Sequence, residues 1–453
     1  MIQATAQRWK TYPAYKESGI EWLGQVPNEW MIKRLKFTAS STTSNVDKLT
    51  KDDEFEVFLC NYTDVYNNKF IDFSINFMPA TATKTEIEKF SLVDECVIIT
   101  KDSESWNDIA VPAFVPGGLE GVLCGYHLAI IKSNDINAKF LYYLLASNLI
   151  NQQFQVCANG VTRFGLPQSG INNANLLIPS LDEQRAIASF LDRECVRIDA
   201  LIEKKHRLLE LLEEKRRAVI TQAVTHGLAP SVTMKESGVE WLGEVPKLWE
   251  VKRLKFCVNS GFQYGANVAA ELTDPDLPRY IRITDMNDDG TLKDDTFRSL
   301  TYEQAEPYLL RNKDILLARS GATVGKSFMY DKSMGTAAYA GYLIRISASS
   351  IIDAYYLYAF INSNSYWQWI NSIFIQATIQ NVSAEKYANL MLPIPSLDEQ
   401  HAIVSFIDHE CARIDAQRWA HEKSIALLKE YRASLITQVV TGQIDVREYE
   451  PEQ

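Results

Sequence analysis

The feature that most constrains this chain is a stretch of sequence that it contains twice. Residues 180–200 and 396–416 are identical at 16 of 21 positions, with a constant offset of 216 residues. Each copy begins with Ser-x-x-Glu, at Ser180 and at Ser396. In such a capping box the hydroxyl accepts a hydrogen bond from the first turn while the glutamate reaches back to the cap. The pattern therefore predicts two helices that begin at equivalent points of a duplicated unit.

Both predicted helices are long and carry an apolar stripe. The stripe advances by three and four residues alternately, which is the coiled-coil period, and a helix of about 40 residues would be roughly 60 Å long. Ordinary amphipathic core helices remain the alternative. The residues predicted to pair the helices are Leu191, Ile198, Ile202, Leu209, Leu212, Ile407, Ile414, Ile425, Leu428 and Leu435. Polar residues interrupt the stripe and would either fix its register or face partners: Lys205, Arg216, Arg418, His421 and Arg432.

A second repeat lies ahead of each helix. Residues 16–37 and 235–256 match at 16 of 22 positions. Buried-strand patterns follow at equivalent places, and the offset then changes by three residues, which predicts loops of unequal length on a shared scaffold. We predict an α+β fold in which two similar globules are separated and followed by long helices that pair as an antiparallel coiled coil. The predicted boundaries are 1–179, 180–230, 231–395 and 396–453.

Composition indicates an ordinary globular protein of 453 residues with a net charge of −11. The acidic excess is uneven, since residues 42–180 hold 9 Lys/Arg against 16 Asp/Glu, whereas residues 1–41 hold 6 against 3. No apolar run reaches the roughly 18 residues that cross a bilayer, and no signal-peptide pattern is present, so we expect a cytoplasmic protein. Seven cysteines without C-x-x-C and six histidines without H-x-x-x-H indicate no metal site.

The candidate binding residues lie in polar loops of the two globules. Arginine and lysine can contact phosphates or guanine, and amides and hydroxyls can contact base edges. Solvated loops or plain connectors are the competing interpretation. The candidates are Lys101, Ser103, Ser105, Asn107, Thr162, Arg163, Gln263, Tyr264, Arg319, Ser320, Thr323, Lys326, Gln380 and Asn381.

The sequence contains no motif that supports catalysis. Gly321–Ser327 looks like a phosphate loop, but it has three residues between its glycines where that loop needs four. Methyltransferase, nucleophile-elbow and zinc-protease motifs are absent, so we expect a binding protein without catalytic residues.

The order and duplication of these motifs resemble the specificity subunit of type I restriction–modification systems. The resemblance rests on Ile-Pro-Ser-Leu-Asp-Glu-Gln before each long helix, on Gly19-Ile-Glu-Trp-Leu-Gly and Gly238-Val-Glu-Trp-Leu-Gly, and on Lys-Arg-Leu-Lys after each, and it covers residues 15 to 445. It implies that each globule is a target recognition domain reading one half of an asymmetric, bipartite site in double-stranded DNA. The helices would set the spacer between the halves.

The same resemblance implies partners. Two methyltransferase subunits would dock on the helices, and restriction subunits would join them. This chain would bind no cofactor, and S-adenosylmethionine, ATP and Mg would belong to the partner subunits. Two other classes remain open: a non-enzymatic coiled-coil scaffold with two docking modules and no sequence-selective DNA binding, and a nucleotidase using the Gly321 loop.

Overall fold

The computed structural model describes residues 9–259, 261–269, 271–287, 290–375 and 381–449, without the side chains of residues 322 and 375. The chain divides into two compact units. Unit 1 comprises residues 1–204 and 423–453, and unit 2 comprises residues 205–422. Each unit therefore contains one predicted globule and parts of both long helices. Unit 1 holds the start of the first long helix and the end of the second, and unit 2 holds the end of the first and the start of the second.

Unit 1 contains thirteen strands and five complete helices among its described residues. The strands are β1 Tyr15–Glu17, β2 Gln25–Pro27, β3 Met31–Arg34, β4 Ala39–Thr43, β5 Phe55–Cys60, β6 Met78–Ala82, β7 Cys96–Thr100, β8 Asp102–Ser103, β9 Pro112–Val115, β10 Val122–Cys124, β11 Leu128–Ser133, β12 Phe164–Gly165 and β13 Asn175–Ile178. The helices are α1 Tyr62–Asn67, α2 Lys84–Phe90, α3 Ala138–Leu145, α4 Asn148–Cys157 and α5 Gln168–Asn173. The long helix α6, Leu181–His226, begins here.

The centre of unit 1 is an antiparallel sheet in the order β4-β11-β7-β9. All five residues of β7 are buried, as expected for the apolar run Cys96–Thr100, and Ile99 pairs with Ala129 of β11. A second sheet, β10-β5-β6, mixes a parallel and an antiparallel pair. The β-branched and aromatic run that begins at Phe55 forms β5, which ends at Cys60.

Unit 2 repeats this arrangement with shorter strands. Its strands are β14 Met234–Glu236, β15 Glu244–Pro246, β16 Glu250–Arg253, β17 Gln263–Tyr264, β18 Arg279–Ile281, β19 Ile315–Ala318, β20 Ser327–Met329, β21 Ala337–Tyr339, β22 Leu343–Ile346 and β23 Met391–Ile394. Its helices are α7 Tyr302–Ala305, α8 Ala354–Ile361, α9 Asn364–Ile375 and α10 Ala384–Ala388, followed by the long α11, Leu397–Val440. The central sheet runs β17-β22-β19-β20 and is antiparallel.

The long helices begin where the sequence predicts, but only half of the capping prediction is right. The Ser180 hydroxyl accepts a hydrogen bond from the Glu183 N–H at 3.3 Å. The Glu183 carboxylate does not return to the cap, because it accepts from the Trp30 indole at 3.0 Å and the Tyr12 hydroxyl at 2.7 Å. In unit 2, Glu399 likewise accepts from the Trp249 indole at 3.0 Å. In each unit, a tryptophan of the repeat at 16–37 and 235–256 therefore holds the glutamate at the start of the following long helix.

Within each unit the two long helices lie side by side. In unit 2, Arg418 approaches Glu213 at 3.7 Å and Arg216 approaches Asp415 at 3.8 Å. Residue numbers therefore increase along one helix as they decrease along the other, so the helices are antiparallel. In unit 1, Arg432 lies 3.2 Å from Asp199. The predicted α+β fold with antiparallel paired helices is confirmed, and three of the interrupting arginines contact the opposite helix.

The predicted pairing residues differ in how deeply they are covered. Those buried in the cores of their units are Leu191, Ile198, Ile407, Ile414, Ile425 and Leu435. Ile202, Leu209, Leu212 and Leu428 are half-buried. Among the described residues, no helix has both the length and the apolar character needed to cross a membrane.

Candidate nucleic-acid interface

The candidate site of unit 1 forms where the two central strands β7 and β11 meet at one end of the sheet. Lys101 directly follows β7, and its N–H donates to the carbonyl of His127, which directly precedes β11, at 2.9 Å. The short strand β8 then pairs with β12, whose first residue follows Arg163. The sheet therefore brings together three segments that are far apart in the sequence.

These segments are joined by a chain of hydrogen bonds between side chains. The His127 Nδ1 lies 2.6 Å from Asp102 Oδ2, and the Arg163 Nη2 lies 3.1 Å from His127 Nε2. Since a guanidinium can only donate, Nε2 must accept, and Nδ1 then carries the proton donated to Asp102. We name Asp102, His127 and Arg163 the relay. It fixes the orientation of an exposed arginine.

The relay uses a strained residue and a stabilised carboxylate. His127 adopts φ 75°, the left-handed region that residues other than glycine rarely occupy. Such strain often marks functional positions. Partial burial pushes the pKa of Asp102 upward, but hydrogen bonds from His127 and from Lys101, at 3.0 Å, outweigh burial and leave this pKa below its ordinary value. Asp102 is therefore a carboxylate at neutral pH.

Aromatic side chains surround the relay. The Tyr126 ring is half exposed and receives the Lys101 ammonium at 5.2 Å from its centroid. Tyr62 and Tyr66 stack with centroids 5.6 Å apart, and the Tyr66 hydroxyl donates to Asp108 at 2.7 Å. That hydrogen bond raises the pKa of Tyr66. The site thus presents cations, hydroxyls, carboxylates and flat rings, which are the groups that recognise base edges and bases.

The other candidates of unit 1 lie on loops beside the relay. Ser103 is buried, and its hydroxyl accepts from the N–H of Ser105 at 3.1 Å. Ser105 and Asn107 are exposed and bond to each other at 2.6 Å. Thr162 is exposed next to Arg163.

The equivalent place in unit 2 has the same backbone connection and different side chains. The Arg319 N–H donates to the carbonyl of Tyr342 at 3.1 Å, as Lys101 does to His127. The Arg319 guanidinium lies over the Tyr264 ring at 4.7 Å, and the Tyr264 hydroxyl accepts from the Ala384 N–H at 3.2 Å. Ser320 forms a β-bridge with Asn381. The unit 2 cluster therefore consists of an arginine held by aromatic stacking.

Three polar atoms in this cluster are buried without a hydrogen-bond partner in the described chain. They are Arg319 Nε, Thr323 Oγ1 and Asn381 Oδ1. A buried polar group without a partner costs about 1–3 kcal/mol, so a ligand that satisfies it gains affinity. Arg319 Nε can donate a hydrogen bond to a ligand, Asn381 Oδ1 can accept one, and the Thr323 hydroxyl can donate or accept.

The remaining candidates of unit 2 are distributed differently. The Gln263 amide oxygen is engaged by the Arg345 guanidinium. Lys326 lines a cavity of about 420 Å³ together with Arg216 of α6 and Trp367 of α9. Gln380 lies outside the described residues. The Gly321 loop leads into strand β20 and not into the helix that a phosphate loop requires, so the nucleotidase interpretation has no structural support.

The length difference predicted between the globules lies in the loop that carries these residues. Residues 101–111 connect β7 to β9, and residues 319–326 connect β19 to β20, which gives eleven residues against eight. Five residues at the two clusters are not among the candidates predicted from the sequence: His127, Tyr62, Tyr66, Tyr126 and Tyr342. For Tyr126 and Tyr342 a signal was available, because Gly-Tyr occurs at both places at the same offset.

Comparisons with known proteins identify the family. The family described as type I restriction modification DNA specificity domain matches residues 55–213 and 246–418. The chain is similar to the type I restriction enzyme MjaVIII specificity subunit of Methanocaldococcus jannaschii, with 21% identity over 96% of this chain and 97% of that protein. It is also similar to the StySPI specificity subunit of Salmonella potsdam, with 21% identity over 87% and 83%.

A solved structure agrees on the fold. A chain in a structure described as showing complex assembly and conformational transition of the type I R-M system has a TM-score of 0.68 and 16% identity. The match covers 92% of this chain and 99% of that one. Because the family match spans well over half of the sequence, in both units, this chain belongs to the family of type I restriction–modification specificity subunits.

Proposed function

We propose that this chain reads an asymmetric, bipartite site in double-stranded DNA, one half with each unit, and that it performs no catalysis itself. One observation carries the proposal: the same place on a repeated scaffold holds the Asp102–His127–Arg163 relay in unit 1 and the Arg319–Tyr264 stack in unit 2. Because the two units share a backbone scaffold but carry different side chains at the equivalent place, they are suited to bind two half-sites of different sequence.

The chemistry of unit 1 favours base edges over phosphates. Arg163 is exposed and oriented by His127, and a fixed guanidinium fork matches the O6 and N7 of guanine. Asp108 and Glu104 lie in the loop of residues 101–111, which also carries Asp102, and their charge disfavours phosphates. Carboxylates can accept from cytosine N4. We infer that the first half-site contains a guanine contacted by Arg163.

The long helices suit a spacer. Within each unit they are tied by ion pairs such as Asp199–Arg432 and Arg216–Asp415, so bending or sliding would break specific contacts. We propose that they set the distance between the half-sites and dock two methyltransferase subunits, with restriction subunits joining that assembly. S-adenosylmethionine, ATP and Mg would be held by those partners.

The experiment is methylation sequencing of DNA from cells that express this chain with its methyltransferase partner. We expect one split motif with different halves, and Arg163→Gln should alter one half only. Lys84→Gln, at an exposed position of α2, is the matched control and should leave the motif unchanged. Absence of any split motif, with the complex intact, would favour the scaffold alternative.

A further inference from the structure

Both units present the same small cationic surface outside the recognition clusters. We name it the matched patch: Lys33, Arg34, Lys36 and Phe37 in unit 1, and Lys252, Arg253, Lys255 and Phe256 in unit 2. In each copy a strand ends, a three-residue turn of 3-10 helix follows, and its first residue is buried. Phe37 and Phe256 are each 64% exposed.

Folding accounts for the buried leucines of this motif but not for its exposed residues. Leu35 and Leu254 are completely buried in the cores of their units. Exposed positions just before the patch have changed between the copies: Asn28, Glu29 and Met31 correspond to Lys247, Leu248 and Glu250. The arginine, the second lysine and the phenylalanine are exposed in both copies and identical. Their identity points to a partner that both units share.

The cations of the patch are largely uncompensated. In the described residues, Lys252 pairs with Glu250 at 2.5 Å, and Arg34 contacts the Asn173 amide oxygen at 3.4 Å. Within the same part of the chain, no carboxylate pairs with the other cations of the patch, which are Lys33, Arg34, Lys36, Arg253 and Lys255. The ammonium of Lys36 lies 5.3 Å from the Phe37 ring, and that of Lys255 lies 5.2 Å from the Phe256 ring. Each phenylalanine ring therefore makes a cation–π contact with the lysine beside it, and this contact accounts for the exposed ring without an apolar partner.

The patch lies one strand length from the recognition cluster in both units. In unit 1, β4 connects the patch to the strand end beside His127, and five residues span about 17 Å. In unit 2, β22 runs from Tyr342 towards the bridge between Val258 and Ala348, just after Phe256. At a rise of about 3.4 Å per base pair, this distance corresponds to about five base pairs of duplex.

We propose that the matched patch binds phosphates of the DNA backbone flanking each half-site, and so positions both recognition clusters in the same way. This inference rests on the proposed function. The backbone is the one part of the DNA that two half-sites of different sequence have in common. Because the chain has a net charge of −11 and carboxylates in its first recognition loop, a cationic contact elsewhere would favour its binding to the DNA backbone.

A surface that docks partner proteins is the competing assignment for the patch. Two copies of one methyltransferase subunit would also meet identical surfaces. Lysines are depleted in protein–protein interfaces, whereas lysine and arginine provide most phosphate contacts. With three cations in four residues, and two of them lysines, the composition of the patch favours phosphate.

The test measures DNA affinity of the assembled complex with methyltransferase at several salt concentrations. The variants are Lys33→Gln/Arg34→Gln/Lys36→Gln in unit 1 and Lys252→Gln/Arg253→Gln/Lys255→Gln in unit 2. Each neutralised phosphate contact contributes about 0.9 to the slope of log affinity against log salt, so each triple variant should lower the slope by up to about 2.7. The preference for the correct half-site over a mismatched one should stay unchanged. The charge-matched control replaces exposed Lys48, Lys84 and Lys89 by Gln and should keep the wild-type slope.

The outcomes separate the possibilities. An unchanged slope in both patch variants would overturn the proposal, and so would an equal slope change in the control. Loss of methyltransferase binding, with an unchanged slope for the complex that still assembles, would assign the patch to protein docking. Failure of the wild-type complex to select any DNA sequence would instead contradict the proposed function. Arg34→Lys/Lys36→Arg, which preserves charge, should retain the slope, and an unchanged urea midpoint of each triple variant excludes misfolding as the cause.

Discussion

The Nε atom of Arg432 lies 3.2 Å from the Oδ1 atom of Asp199, across the pair of long helices in unit 1. Asp199 also accepts from Lys69 of the globule at 2.7 Å, so one carboxylate ties both helices to the domain that they support. Burial tends to lower the pKa of Arg432, but the nearby Cys195, Asp199 and tyrosines outweigh burial and raise it. The arginine is charged wherever the protein is folded.

Removing this carboxylate should destabilise unit 1. We expect Asp199→Asn to cost about 1–2 kcal/mol, between the values typical of exposed and buried pairs, because Arg432 remains largely buried without its counter-charge. Urea denaturation followed by the fluorescence of the tryptophans measures this cost. Asp182→Asn, at an exposed pair with Arg185, should change stability by less than about 0.5 kcal/mol. Equal effects of the two substitutions would contradict the structural role.

The two recognition clusters should act independently. Arg163→Gln and His127→Gln should each weaken discrimination at the first half-site by about 1–3 kcal/mol and leave the second half-site unchanged. Arg319→Gln should do the reverse. Binding to duplexes with single mismatches in each half measures both effects. If His127→Gln had no effect while Arg163→Gln did, the relay would have no part in positioning the arginine.

A cavity in unit 2 should accept a larger side chain. In unit 1 the Tyr143 hydroxyl donates to Asp192 at 2.6 Å, whereas at the equivalent place in unit 2 Ala359 and Asp408 line a cavity of about 160 Å³. Ala359→Tyr should fill that space and raise the urea midpoint, with a gain of about 1 kcal/mol typical of cavity filling. Ala359→Phe lacks the hydroxyl and should gain less. Destabilisation by both variants would show that the cavity cannot admit a ring.

The seven cysteines should differ sharply in reactivity. Six are buried, and Cys157 alone is half-buried, so a thiol reagent should modify one cysteine of the native protein quickly and all seven after denaturation. Burial raises the pKa of Cys96 to about 11. Since the folded pKa exceeds the unfolded one, the associated stability is complete below pH 9 and is lost as the pH rises towards 11. Cys96→Ala should flatten this alkaline decline in a pH series of urea denaturation.

Local patterns predicted the helices and central strands because their periods are properties of contiguous sequence. Residues 96–100 and 315–318 are apolar runs, and both are strands. The relay could not be predicted in this way, since His127 is 25 residues from Asp102 and 36 from Arg163. The glutamate half of the capping prediction failed for the same reason: the indole of Trp30, 153 residues before Glu183, takes the carboxylate from the cap.

Unit 1 is built from two separate stretches of the chain, and this affects the order in which the units can fold during translation. Its core includes Val26 and Trp30 as well as Val439 and Ile444, whereas unit 2 is one continuous stretch. Since translation proceeds from the N-terminus, unit 2 can complete its core on the ribosome while unit 1 still lacks residues 423–449. We expect a chain ending at Glu422 to keep unit 2 resistant to protease and to leave unit 1 open to cleavage. Unit 1, whose first residues are translated first, would then be the last unit to complete its fold.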